Sequence, residues 1–336
     1  MKRTVFQIDP TDSLAPYTYE RAAIAADGGE LVVGNCHTPE DVIAQAGNAE
    51  VLLLSWKKIL TPDVMKALPR VRLIIRWGVG YDMVDVASAT AHGIAVANTP
   101  TYAIDDVAEH AISLLLACTR QVAWFDQRMR QGEWTSPIGR AIHRMKGRTL
   151  GLVGVGRIGA ATAWRARGLG LRVIAFDPGL SAETFQAMGI ESRSLDEVTQ
   201  GSDYISIHVP LSSATRHLID APRLGQMRPG TILINTSRGP VVDQAALIEA
   251  LASRHLGGAG LDVFEEEPLD KTNPLRRMEQ VVLTPHVAAY SQESWQALRE
   301  EVCTTVRSWF ATDWATNIVN PHVRPTLRAK LDSTSP

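Results

Sequence analysis

Residues 147–177, GRTLGLVGVGRIGAATAWRARGLGLRVIAFD, decide how this chain folds. The run 149–153 is short, apolar and β-prone, so it is expected to be a strand. Gly154-Val155-Gly156-Arg157-Ile158-Gly159 follows, a GxGxxG. A helix is expected over 160–168, and a second strand over 172–176 ends in Asp177. Each part has a physical reason. Gly154 permits the tight turn out of the strand. Gly156 lets a pyrophosphate approach the backbone. Gly159 lets helix and strand pack closely. The N-terminus of the following helix offers N–H groups and positive partial charge to phosphates, and Arg157 and Ile158, inside the glycine motif, are expected to contact the cofactor with the three glycines. Asp177 falls near the ~20-residue spacing of a carboxylate that holds ribose hydroxyls. A lone GxGxxG is weak, but strand, glycines, helix, strand and acid together specify a dinucleotide site. Asp177 would repel a 2′-phosphate, and Pro178-Gly179-Leu180 brings no cation to hold one. NAD is therefore expected rather than NADP.

Working outward, 336 residues exceed what one hydrophobic core usually spans, so two domains are expected. The composition, 45% hydrophobic and 21% charged, is that of an ordinary soluble globular protein. A formal charge of −2 gives no field that would favour nucleic acid or acidic membranes. Asp9, Pro10 and Asp12 interrupt any signal-peptide core, and no run is long enough to span a bilayer. Cys36, Cys118 and Cys303 fit neither a disulfide framework nor a metal spacing, so no metal is expected. Free thiols in a cytoplasmic protein are the expectation.

Ahead of the GxGxxG, strands are expected over 4–8, 31–33, 51–55 and 73–76, alternating with helices over 17–26, 38–46 and 62–67. Such alternation implies a parallel sheet with covered faces. Arg76-Trp77-Gly78-Val79-Gly80 comes directly after a strand. The Val79 and Gly80 amides are suited to cradling a small anion, although a plain strand-to-helix turn reads the same way. A long helix over 104–131 is expected as an interdomain strut, with a polar connection over 132–147. Beyond Asp177, helices are expected over 195–199, 224–227 and 244–253, and strands over 204–208, 231–235, 258–262 and 281–283. A final helix over 291–310 would return to the first unit. The division expected is 1–103 plus 300–336 for the substrate domain and 104–299 for the nucleotide domain.

Ligands of open parallel sheets bind beyond the carboxyl ends of strands. Arg238, Glu267 and His286 all fall at such ends, about one α/β unit apart. Their chemistry suits a 2-hydroxy acid. An arginine binds carboxylate and carbonyl oxygen together. A histidine exchanges the hydroxyl proton, and a carboxylate orients it and favours its cation. Taken singly, each has a plainer reading: a surface ion pair, a loop histidine, or a solvated charge run over Glu265-Glu266-Glu267. No spacing rule selects the third glutamate over its neighbours.

Several segments carry a specific resemblance: GIAVANTP with DDVAEHAISLLLA, GLVGVGRIG, MRPGTILINTSRGPVVDQAAL, GLDVFEEEPL and LTPHVA. Across nearly its whole length the chain resembles the D-isomer-specific 2-hydroxyacid dehydrogenases. Through YDMVDVASATAHGIAV and PHVAAYSQES it is most similar to the group containing the C-terminal-binding protein corepressors. The resemblance implies two Rossmann-like parallel-sheet domains with a cleft between them, a flavodoxin-like substrate domain and an NAD-binding one. It also implies a homodimer through the nucleotide domains and a catalytic set of Arg238, Glu267 and His286. By the same likeness, Asp177 would hold the ribose, and residues 209–215, among them Val209, Pro210 and Thr215, would line the adenosine. Thr236 and Asp262 would lie near the nicotinamide, with Ser237 and Ala289 also contacting cofactor. Arg76, Val79 and Gly80 would touch the substrate carboxylate. The chain departs from the pattern at Ala288 and Ala289, where many members carry glycine and the corepressor group has tryptophan at the second position. A roomier pocket follows, or one filled by Trp56 or Tyr102. Two functions are consistent with this reading: an NAD-dependent oxidoreductase of D-2-hydroxy acids, and an NAD(H)-sensing scaffold with vestigial activity. The glutamate at 267 makes formate oxidation a weaker third.

Overall fold

A computed structural model describes residues 2–11, 15–134 and 142–328. The chain forms two compact units, Met1–Ala103 with Ser291–Pro336, and Ile104–Tyr290. The return to unit 1 thus begins at Ser291 rather than at 300. The helix Gln292–Thr312 belongs wholly to unit 1, with Ser291 as its N-cap, accepting from the Ser294 amide.

Unit 1 holds five strands: β1 (Arg3–Gln7), β2 (Gly29–Val33), β3 (Val51–Leu54), β4 (Leu73–Arg76) and β5 (Ala95–Ala97). All pair in parallel, in the order β2-β1-β3-β4-β5. This is the flavodoxin-like order. Strand β3 reads VLLL and is buried throughout, because both of its faces are covered. Leu52 and Leu54 face one core with Phe6, Ile74 and Val96. Val51 and Leu53 face another, against Val302, Val306 and Trp309 of the last helix. Strand β5 and the helix Val86–Ala91 add to the expected elements.

Unit 2 holds seven strands: β6 (Thr149–Val153), β7 (Arg172–Phe176), β8 (Glu191–Ser192), β9 (Tyr204–Ile207), β10 (Ile232–Asn235), β11 (Gly258–Leu261) and β12 (Val281–Leu283). They run parallel in the order β12-β11-β10-β9-β6-β7-β8. The order in which strands are added reverses between β6 and β9, and the crevice beyond those two strands is where such sheets take their ligands.

The long helix expected over 104–131 is two helices, Ile104–Arg120 and Val122–Arg130, broken at Gln121 with φ 54°. The first is no strut: it starts unit 2 and packs on that unit's own sheet. Ala111, Leu114 and Leu115 join Leu150, Leu152, Ile232 and Ile234 in one core. Arg165, on the helix Arg157–Gly168, bridges Asp105 at 2.8 Å and Glu109 at 2.9 Å. Of the polar connection expected over 132–147, residues 135–141 lie outside the described residues. No described helix is long and apolar enough to cross a membrane.

Candidate active site

The nucleotide loop comes first, because β6 and its glycines set the position of the rest. Gly154 has φ +94°, a conformation that L side chains rarely adopt. A Cβ on Gly159 would stand 2.4 Å from the Gly154 carbonyl oxygen, so the helix could not pack as it does. Gly156 is different. A Cβ there would meet nothing within 4 Å. The protein's own packing does not require that glycine; a phosphate lying on the backbone would.

At the end of β7, Asp177 accepts from the Val155 amide at 2.8 Å and the Gly179 amide at 2.9 Å. Each oxygen keeps a lone pair for a ribose hydroxyl. Val209 lies against the loop, its Cγ1 2.9 Å from where a Gly154 Cβ would be. The segment after it folds on itself through Thr215, whose Oγ1 donates to the Pro210 carbonyl at 2.6 Å and accepts from the Ser212 amide. Beneath the glycines His208 meets Ser206 at 2.9 Å, and burial pushes its pKa down to about 4, so it adds no charge there at neutral pH.

Two strands further along the sheet, β10 ends in Asn235, Thr236, Ser237 and Arg238. Asn235 shapes this turn: its Oδ1 accepts from the Ser237 amide and hydroxyl, and its Nδ2 donates to the Arg238 carbonyl. Thr236 is buried, and its Oγ1 has no hydrogen-bond partner among the described residues. A buried hydroxyl without a partner is costly, and a bound dinucleotide could serve it. With the three glycines and Asp177, this hydroxyl makes the residues present fit NAD.

Arg238 packs its loop directly on the Glu267 loop. A Cβ on Gly239 would come within 1.9 Å of the Phe264 backbone, so only glycine allows the two loops to touch here. Glu267 Oε1 accepts from the Phe264 amide at 3.0 Å, and Oε2 lies 2.6 Å from His286 Nδ1. Burial raises the Glu267 pKa. The hydrogen bond and charge of His286, the Phe264 amide and the charge of Arg238 outweigh burial and hold the carboxyl below its usual range. An ionised carboxylate only accepts, so His286 Nδ1 carries the proton and Nε2 is the exchangeable position. His286 sits at φ +54°, in the left-handed region. Sequence left the choice among three glutamates open. In the structure Glu267 meets His286, and Glu265 meets His217 at 2.7 Å.

Asp262, fully buried at the end of β11, organises the His286 loop. Its Oδ1 accepts from the Thr284 hydroxyl at 2.6 Å and the Val287 amide at 2.9 Å, and its Oδ2 from the Ala288 amide at 2.9 Å. Its carbonyl accepts from the His286 amide. Ala289 follows on the same loop, half-buried. Sequence reasoning missed Asn235 and His110, which meets Thr284 at 2.9 Å. His110 stood inside the quoted DDVAEHA segment, but nothing in its spacing pointed to this contact.

Arg76, Val79 and Gly80 belong to unit 1. Arg76 ends β4 buried, its guanidinium 5.4 Å from the ring of Trp56, which is half-exposed. Asn98 Nδ2 donates to the Val79 carbonyl at 2.6 Å and fixes the turn that carries Gly80. Tyr102 packs on the unit 1 core.

Residues 112–288 match the family model described as D-isomer specific 2-hydroxyacid dehydrogenase, NAD binding domain. A glyoxylate reductase of Korarchaeum cryptofilum is 38% identical over 285 residues, covering 84% of this chain and 86% of the relative. A D-3-phosphoglycerate dehydrogenase of Mycobacterium bovis is also 38% identical, over 313 residues and 92% of this chain; the match spans only 58% of that longer relative. Among solved structures, a D-lactate dehydrogenase from Aquifex aeolicus complexed with NAD and lactic acid superposes with a TM-score of 0.83 at 28% identity. That match covers 94% of this chain and 99% of that one.

Proposed function

The chain belongs to the D-isomer-specific 2-hydroxyacid dehydrogenases, an NAD-dependent oxidoreductase family, and from that premise we propose that it interconverts a small D-2-hydroxy acid and its 2-keto acid. When bound, the nicotinamide supplies hydride to the keto carbon or takes it back from the hydroxy acid. Arg238 binds the substrate carboxylate and polarises the carbonyl oxygen. His286 gives the Nε2 proton to that oxygen during reduction and recovers it during oxidation. Glu267 keeps the Nδ1 proton in place and stabilises the imidazolium. Asp177 holds the ribose, Val209, Pro210 and Thr215 the adenosine, and Thr236, Ser237, Asp262 and Ala289 the nicotinamide side. Arg76, Val79 and Gly80 complete the carboxylate site. A cytoplasmic homodimer, paired through the nucleotide units, is the state in which we expect it to work.

The observation that carries this reading is the 2.6 Å contact between His286 Nδ1 and Glu267, with Arg238 close enough to help hold that carboxyl charged. A second reading, an NAD(H)-sensing scaffold with vestigial activity, draws on the corepressor-like segment 81–96. One experiment separates them: NADH oxidation with a panel containing glyoxylate, hydroxypyruvate and pyruvate, on the wild type and Arg238→Ala. Turnover of at least one acid is expected. Loss of the arginine should cost roughly 2–5 kcal/mol of transition-state binding, as for a severed charged pair. Tight NADH binding with no turnover would favour the scaffold, and an unimpaired Arg238→Ala would remove that residue from the site.

A further inference from the structure

The buried carboxylate of Asp262 has an unusual set of neighbours. His110 Nε2 lies 3.6 Å from its Oδ1. Thr284 lies between them, its Oγ1 2.9 Å from His110 Nε2 and 2.6 Å from Asp262 Oδ1. The direction of these bonds follows from proton count. Thr284 has one hydroxyl proton, and the carboxylate can only accept it. The threonine oxygen therefore accepts from His110, whose Nε2 must carry a proton. The chain runs His110 Nε2–H to Thr284 O–H to Asp262.

Asp262 passes this order on. Its two oxygens take the amides of Val287 and Ala288, the residues directly after His286, and its carbonyl takes the His286 amide. The histidine is held in a left-handed conformation that a loop adopts only when its surroundings over-determine it. The contact also joins two distant parts of unit 2. His110 stands on Ile104–Arg120, the first helix of the unit, and residues 284–288 lead to Tyr290, its last residue.

We propose that His110 is a positioning residue for the acid–base histidine, acting through Thr284 and Asp262 to fix the His286 loop to the first helix of the nucleotide unit. The proposal rests on the reading of His286 given above. The contacts of His110 are to Thr284 and Asp262, not to the His286–Glu267 pair. Its contribution is the placement of Nε2, and displacements of about 1 Å remote from the chemistry can cost on the order of a hundredfold in rate.

The test uses three variants of the full chain. His110→Phe keeps a ring and removes the donor. His110→Gln restores an N–H at the Nε2 position. Thr284→Val removes the hydroxyl at constant shape. Glyoxylate and hydroxypyruvate reduction are followed together with NADH affinity and Tm. His110→Phe and Thr284→Val should each lower kcat by about ten- to a hundredfold, with NADH affinity nearly unchanged. The double variant should be no worse than the poorer single one, as residues in one relay are not additive. His110→Gln should recover most of the rate. Full kcat in both single variants, or multiplying losses in the double, would overturn the proposal. A second readout does not need turnover. The imidazole ¹⁵N resonances of His286, assigned by loss in His286→Asn, should move in His110→Phe and Thr284→Val and return in His110→Gln. Unmoved resonances would overturn the relay. A wild type that turns over no keto acid, but shows those shifts, would instead count against the proposed reaction and leave the relay standing.

Discussion

The two units carry similar parallel sheets, and they treat the point where strand order reverses in opposite ways. In unit 1 that point lies between β1 and β3. Asp9, just past β1, is buried and takes the amides of Ser55, Trp56 and Lys57 at 2.7, 2.6 and 2.9 Å. The loop's anion is therefore part of the chain. In unit 2 the point lies between β6 and β9, where the loop is GxGxxG. Asp177 takes the Val155 amide of that loop, and the helix N-terminus beyond it is suited to a bound pyrophosphate. The same architecture thus serves once as a self-filled structural joint and once as a cofactor site. Fold alone does not distinguish them; the glycines and the placement of one aspartate do.

Substitutions on the two sides should break in different ways. The largest effect is expected at Gly156. The Cβ of an alanine there meets nothing within 4 Å, so in Gly156→Ala Tm should hold, while NADH affinity should drop by about a hundredfold or more through loss of charged hydrogen bonds worth roughly 1.5–3 kcal/mol each. Titration of NADH fluorescence with a parallel melt checks this, and a folded variant with normal affinity would separate the glycine from the cofactor. The mirror image is Asp9→Ala. It strands three loop amides, each costing about 1–3 kcal/mol where buried, so Tm should fall steeply with little change in NADH affinity. An unchanged Tm would show that the joint contributes little. Smallest is Asp177→Ala, which removes the repulsion of a 2′-phosphate. The NADH over NADPH ratio of kcat/KM should narrow by about tenfold, the scale of one weakened charge contact; an unaltered ratio would place cofactor choice elsewhere.

How much of this could be read from the sequence depends on how local each cause is. Strands β6 and β7 fall where apolar runs predict them, because burial on both sheet faces imposes those residues directly; the edge strand β12 also falls at its apolar run, although it is only half-buried. The three glycines were likewise legible, since turn, packing and ligand approach are local demands. The break at Gln121 was not: Thr119-Arg120-Gln121-Val122 contains no glycine or proline to announce it. Asp9 looked like an interruption of an apolar segment. Its three donors lie far along the chain, and nothing near it specifies them. The three glutamates pose the same problem. Glu265 and Glu267 are told apart by which histidine the folded loops deliver, His217 or His286. Asp262 was expected by likeness to serve the cofactor, yet its work for the His286 loop emerges only from long-range hydrogen bonds.

On this reading His286 and Glu267 act as one acid–base unit. The most direct measurement is the pH dependence of single-turnover NADH oxidation by a 2-keto acid in the wild type and Glu267→Gln. Reduction needs the protonated imidazole, and the carboxylate favours that form. Without the negative charge, the high-pH limit of reduction should move downward, with NADH binding intact. Superimposable profiles would contradict the account.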